Sequence, residues 1–340
     1  MASVDCCLKN RDRSIDLLRF IALTGIIIVH IHPSAFWFQL RNFDVPLMVF
    51  LSGVSYKLSG GSTLEYKTYC IKRFKRLVLP VWFFLPVYFL IYIGVTHLIP
   101  SWKTIVSYYT LITGWYVWII RVFFVIALVS PFLAKGLDRT GKRLFLVLSI
   151  LFLLLFEWYV NTRYSQFSGR MIVLIHFPYI LVFALGYKVM GFQRKAIKRM
   201  MIVCVFVYIC ISFYYINNGR GYLQTQLFKY PPQIYYLSYA IGCCLYLWLV
   251  RVKVFSFLLR LSSKLVDLIA FIGSHTIWIY LWHIPLVSMV KGIDSAIIRF
   301  SVVYILATII VGCQTWLVEK LLPLVKDTKR QKNLRMIFIG

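Results

Sequence analysis

Apolar runs long enough to cross a bilayer follow one another along almost the whole 340-residue chain, and this succession limits the fold more than any single motif. A helix needs about 20 apolar residues to span a hydrocarbon layer roughly 30 Å thick. The pattern predicts an all-α polytopic membrane bundle of about ten transmembrane helices. They fall near 15–37, 43–58, 77–97, 114–134, 143–160, 171–190, 200–216, 231–250, 268–290 and 298–318. With 61% hydrophobic residues and a mean hydropathy of +0.78, an ordinary soluble domain is excluded. The second run is short, and Ser52-Gly53 inside it predicts a tilted or broken helix.

The chain carries 38 Lys and Arg against 11 Asp and Glu, a formal net charge of +27. In a soluble chain that excess would suggest nucleic acid, but its distribution decides otherwise. With the N-terminus in the cytoplasm, most basic residues fall on inner segments. The outer segments hold only Arg41, Lys103, Arg163, Arg170, Arg220, Lys229, Lys291 and Arg299, and Arg121 lies within a span. This is the positive-inside pattern, and it predicts that both termini are cytoplasmic, because one missed helix would invert every later connection. The charge is then a topology signal whose ordinary partners are membrane lipids, with no nucleic acid implied. One domain is expected over 1–340, with spans over about 15–318 and a short basic cytoplasmic tail at 319–340. The first apolar run is too long for a signal-peptide core and lacks a small-residue cleavage site, so the N-terminus is expected to be retained. Eight cysteines show no metal-ligand spacing; they read as reduced packing residues, and no metal is expected.

Ionisable residues inside the apolar runs are costly, and they point to function. In "RSIDLLRFIALTGIIIVHIH", Arg19 and His30 are separated by about three helical turns and share a face. Asp16, three residues before Arg19, joins the same stripe. Under the predicted topology His30, His283, His176, Glu157, Arg121 and Asp44 all lie in the outer half of the bundle, where a polar cavity would accommodate them. For His176 and Glu157 an interfacial position in contact with water is an equally simple reading. The segment "YCIKRFKRLVLP", read as the loop before the third span, places Lys72, Arg73, Lys75 and Arg76 together. Positive-inside anchoring would explain the cluster. So would a phosphate site, since guanidinium forks match phosphate oxygens in pairs.

Together these features resemble the acyltransferase-3 family of integral membrane acyltransferases, many of which O-acetylate bacterial cell-surface glycans. Arg19 and His30 match the family's first-helix arginine-to-histidine motif, with Asp16 before it. "VPLMVFLSGVSY" is similar to its second-helix segment, Arg73-Phe74-Lys75-Arg76 to its cytoplasmic R-x-x-R, and "GWYVWIIR" to its aromatic segment. "GSHTIWIYLWHIPL" resembles its late helix and places His283, and Glu319 falls where the last helix carries a glutamate. Met48, Val49 and Val54 depart from its usual aromatic positions, and Pro323 lies four residues after Glu319 rather than two. No segment after the tenth span is long enough for the hydrolase-like domain of longer members.

The resemblance implies acetyl-CoA or another acyl-CoA as donor and a cell-surface, exopolysaccharide or lipid-linked glycan as acceptor. The setting would be a bacterial cytoplasmic membrane. It implies His30, Arg19 and Asp16 as catalytic residues, with His30 removing a proton from the acceptor hydroxyl. An imidazole with an unperturbed pKa of about 6.5 suits that work. Arg73, Lys75 and Arg76 would hold the CoA phosphates. Arg121, His283, Glu157, His176 and Asp44 would contact the acceptor, with Arg19 or Arg121 also available to stabilise an oxyanion. A transporter or flippase of lipid-linked saccharides would likewise need many spans, a polar cavity and a broken helix. It would not need the R-x-x-R, and its pseudo-repeats are not evident in the sequence.

Overall fold

The computed structural model describes residues 12–60, 65–112, 116–163 and 170–340. Among them the regular structure is helical, apart from an isolated bridge between Lys229 and Pro232. Seven helices are long and apolar enough to cross a membrane, or eight if one bent pair forms a single span. On Arg194–Asn217 no residue of the most apolar 18-residue window is buried inside the protein. A helix that is apolar and yet uncovered needs lipid around it, so the bundle is a membrane protein.

Two predicted spans have a different character. Helix α1, Arg13–His30, begins at Asp12, whose carboxylate accepts from the Ser14 amide. It carries Arg13, Asp16 and Arg19, so it is not one of the charge-poor apolar spans, although the rest of the helix is mostly apolar and much of it is buried inside the bundle. After the short helix α2, Ala35–Leu40, helix α3 runs over Asp44–Leu58, only 15 residues. Both helices pack in the core, where protein covers Ser14, Asp16 and Asp44, while Arg13 and Lys57 are more exposed at the helix ends.

Of the tilted or broken second helix expected, the break is absent: α3 is continuous through Ser52-Gly53. Gly53 instead permits a close crossing with His176–Val189. A Cβ on Gly53 would lie 2.1 Å from the Phe183 carbonyl oxygen, and one on Gly186 would lie 2.0 Å from that of Phe50. The interrupted span is the late one, predicted as 268–290. It consists of Ser263–Ser274 and Thr276–Met289, bent by 83°. At the bend the Ser274 hydroxyl donates to the Phe271 carbonyl, and His275 Nδ1 lies 2.8 Å from the same oxygen. The same carbonyl also accepts the His275 amide at 3.1 Å, so side chains crowd the last carbonyls of the first half-helix.

The basic cluster also differs from the loop expected. Tyr66–Leu77 is helical and runs on into Leu79–Thr96, so Arg73 and Arg76 are on a rigid element. The tail likewise contains a helix, Thr328–Phe338, started by Asp327 accepting from the amides of Lys329 and Arg330. It folds back beneath the bundle: Trp278 donates to the Ile337 carbonyl at 3.0 Å and Arg335 pairs with Glu319 at 2.7 Å.

Candidate active site

Helix α1 is the axis of the site. Near its start Arg19 donates to Asp16 at 2.9 Å and to the Ser55 hydroxyl at 2.8 Å, which ties α1 to α3. At its far end His30 meets His283, with Nδ1 of the first and Nε2 of the second 3.0 Å apart. The eleven-residue separation corresponds to a rise of about 16 Å.

A cavity lies at each end of this axis. One, of about 330 Å³, is bordered by Arg19, Ser52, Ser55, Arg73 and Arg76. The other, of about 350 Å³, is bordered by His30, Arg41, Asp44, Gln226, Lys229 and Trp118. Ile26, Ile119 and Tyr280 border both, so a single layer of side chains separates the two. Both volumes lie at the small end of the range for ligand sites, about 300–1,000 Å³.

The two histidines can be assigned tautomers from their partners. His283 is fully buried, and its Nδ1 faces the Tyr280 carbonyl, which can only accept, so Nδ1 carries the proton. In neutral His283, Nε2 is then an acceptor, and His30 Nδ1 must donate to it. That leaves the lone pair of His30 on Nε2. The arrangement resembles the orienting half of a triad, with a neutral imidazole as the orienting group. The Tyr116 ring, centred 5.4 Å from that of His30, packs beside it, and the Tyr280 hydroxyl donates to the Tyr116 carbonyl.

Asp44, at the start of α3, is buried beside His30's cavity. Its Oδ2 accepts from Arg41 at 2.9 Å and its Oδ1 from the Val45 amide at 2.6 Å, with Lys229 Nζ 3.7 Å from Oδ1. Burial pulls the Lys229 ammonium down to about 8, against the opposing pull of Asp44.

The sequence-predicted residues thus fall into two groups, one at each end of α1, and four that join neither. Asp16, Arg19, Arg73 and Arg76 gather at one end, where all but Asp16 border the cavity, while His30, His283 and Asp44 gather at the other. Lys75 belongs to neither group and donates to Asn333 at 3.3 Å. Arg121, Glu157 and His176 bond to backbone away from both cavities. Arg121 donates to the carbonyls of Leu111 and Ile112, Glu157 accepts from the Ile234 amide that opens the Ile234–Leu261 helix, and His176 Nδ1 lies 3.2 Å from the Val173 carbonyl. Of "GWYVWIIR", Gly114 and Trp115 lie outside the described residues. Arg41 and Lys229 are site residues that positive-inside counting set aside as outer-loop charges. The i,i+3 spacing of Arg41 and Asp44 was one available signal for the first.

A family model described as an acyltransferase domain matches residues 12–317. No curated protein and no solved structure matches the chain.

Proposed function

Because the chain belongs to the acyltransferase-3 family, matched over nearly its whole length, we propose that it is an O-acyltransferase working across the membrane. In this reading an acetyl or other acyl group passes from acyl-CoA at the Arg19 end to a hydroxyl of a cell-surface glycan, or of its lipid-linked precursor, at the His30 end. The R-x-x-R end and both termini face the cytoplasm of a bacterial cell, and α1 and α3 cross inside the apolar helices to complete ten spans. The observation that carries the reading is the pair of cavities meeting at Ile26, Ile119 and Tyr280, with Arg19, Arg73 and Arg76 on one side and His30 on the other.

Arg73 and Arg76 hold the CoA phosphates, and the pantetheine arm extends along α1. Arg19 cannot reach the atoms that react at His30, since a side chain does not bridge a rise of about 16 Å. It therefore holds the donor farther back, oriented by Asp16 and Ser55. Lys75 supplements the charge of the mouth. His30 Nε2 takes the proton of the acceptor hydroxyl as its oxygen attacks the thioester carbonyl carbon. The carbon–sulfur bond then breaks, and the imidazolium returns the proton to the thiolate leaving as CoA. His283 is a positioning residue that fixes the tautomer of His30. Asp44 orders the acceptor side through Arg41 and Lys229. Arg121 anchors Leu111 and Ile112, while Glu157 and His176 shape the same end of the bundle through their backbone contacts. No metal takes part in this scheme.

The test is transfer of labelled acetyl from acetyl-CoA to glycan in membranes containing the chain. In the double variant Arg73→Ala, Arg76→Ala, KM for acyl-CoA is expected to rise on the order of tenfold or more. That is the loss expected for one or two charge-assisted phosphate contacts, and kcat at saturating donor should change little. An unchanged KM would remove the phosphate role from the cluster and leave it as a membrane anchor. If wild-type membranes with acceptor consume no acyl-CoA, catalysis fails and transport of a lipid-linked saccharide takes its place.

A further inference from the structure

The His30 cavity contains more positive charge than its mechanism requires. Arg41 and Lys229 are each 3% exposed and both border it, facing one carboxylate, Asp44, which is 1% exposed. No second carboxylate borders this cavity among the described residues. Asp44 already accepts from Arg41 and the Val45 amide, and Lys229 pairs with the same carboxylate only at 3.7 Å, so two cations share one negative charge. Arg41 Nε is buried without a hydrogen-bond partner. The rings of Trp118, Tyr230 and Tyr236, centred 5.8–5.9 Å from Lys229 Nζ, make the surroundings tolerable for a cation without neutralising it.

Resting on the acyltransferase reading, we propose that the acceptor saccharide carries an acidic group, a carboxylate or a phosphate, which Lys229 and Arg41 hold beside His30. Buried charge is stable when matched, and an acidic acceptor supplies the missing negative charge on binding. The donor's own phosphates do not fill this role, because their arginines border the other cavity, beyond the layer of Ile26, Ile119 and Tyr280. The acid also positions its sugar. Lys229 and His30 border the same cavity, so with the anion fixed at Lys229 only hydroxyls at a matching distance from it can reach His30 Nε2, and the charge selects both the acceptor and the site acylated.

The experiment uses the full chain in detergent with two matched acceptor pairs: a hexuronate-containing oligosaccharide and its neutral hexose counterpart, and a sugar phosphate and the free sugar. Binding is measured by calorimetry without donor, and acyl transfer from acetyl-CoA is measured separately. Wild type is expected to bind one acidic member roughly tenfold to a hundredfold more tightly than its neutral partner, the range for a charge-assisted hydrogen bond. Preference for the uronate or for the phosphate identifies which acid is used. Lys229→Met should abolish the preference and Lys229→Arg should restore much of it. The methionine variant leaves Arg41 and Asp44 as a matched pair, and gel filtration checks that it remains folded.

Equal binding of acidic and neutral acceptors overturns the proposal even if transfer proceeds. So does a Lys229→Met variant whose kcat falls equally for both acceptors with KM unchanged, since the charge would then serve the transition state. Selective binding of an acidic saccharide without acyl transfer supports the anion site and overturns the acyltransferase reading instead.

Discussion

Replacing His30 with asparagine is expected to lower acyl transfer by about 10²–10⁴-fold, the usual contribution of general-base assistance, while the protein stays folded. Asparagine is more informative than alanine here. Its amide can still donate toward His283 Nε2, so the buried acceptor keeps a partner, but the lone pair at the position of His30 Nε2 is lost. Alanine would also leave that acceptor unsatisfied, at a cost of about 1–3 kcal/mol, and so would confuse stability with catalysis. The predicted loss of rate corresponds to about 2.7–5.5 kcal/mol of barrier. A purely structural His30 predicts near-normal transfer in His30→Asn, and that result would remove the base from the mechanism.

The neighbouring histidine gives the same idea a finer test. If His283 acts by holding the tautomer of His30, His283→Gln, whose carbonyl can still accept, should keep more activity than His283→Leu, with the difference in kcat rather than in acceptor KM. Equal losses in both would mean that His283 supports packing alone.

The line from Asp16 through Arg19 to His30 was legible in the sequence because all three residues share one helix, where spacing alone determines the face. The membrane bundle was legible for a similar reason, since hydropathy is a local property. What resisted reading was assembled from distant segments. Lys229 reaches Asp44 across 185 positions of chain, as does the Arg41–Gln226 contact, and no local pattern announces either. Depth alone grouped Arg121, Glu157 and His176 with the site, but backbone acceptors and donors nearby claim each of them. Similar depth restricts where a polar group stands along the membrane normal and says nothing about which neighbour it meets.

The break in the bundle shows the same limit. Ser52-Gly53 and Gly273-Ser274-His275 look alike as interruptions of an apolar run. A glycine in a membrane helix can mark a bend, let two backbones touch, or do both: Gly53 only admits a neighbouring backbone, whereas Gly273, beside the bend, also faces one, its Cβ position 2.2 Å from the Asp16 carbonyl oxygen. In the second helix the partner is Gly186, and α3 remains straight enough to carry Asp44 at one end and Ser55 toward the other. Both ends matter, since one orders the His30 cavity and the other holds Arg19.

The Gly53 and Gly186 crossing, like that of Gly273 against the Asp16 backbone, should therefore be among the least replaceable packing of the described residues. Gly53→Ala places a methyl 2.1 Å from the Phe183 carbonyl oxygen and 2.8 Å from the Tyr187 nitrogen, and Gly186→Ala places one 2.0 Å from the Phe50 carbonyl oxygen. These obstacles are main-chain atoms, so no side chain can rotate away and the helices must separate. Each substitution is expected to cost at least the roughly 1–3 kcal/mol typical of overpacking. The double variant should cost less than the sum, because helices already forced apart by one methyl have room for the other. Gly94→Ala, in Leu79–Thr96 with open space around it, should be neutral or slightly stabilising. Thermal unfolding in detergent, followed by gel filtration, measures all four variants. If Gly53→Ala melts with the wild type, the crossing is looser than the backbone contact requires. A large loss with simple additivity would instead mean that the two methyls act at separate places, so that no single crossing holds Asp44 and Ser55 in register.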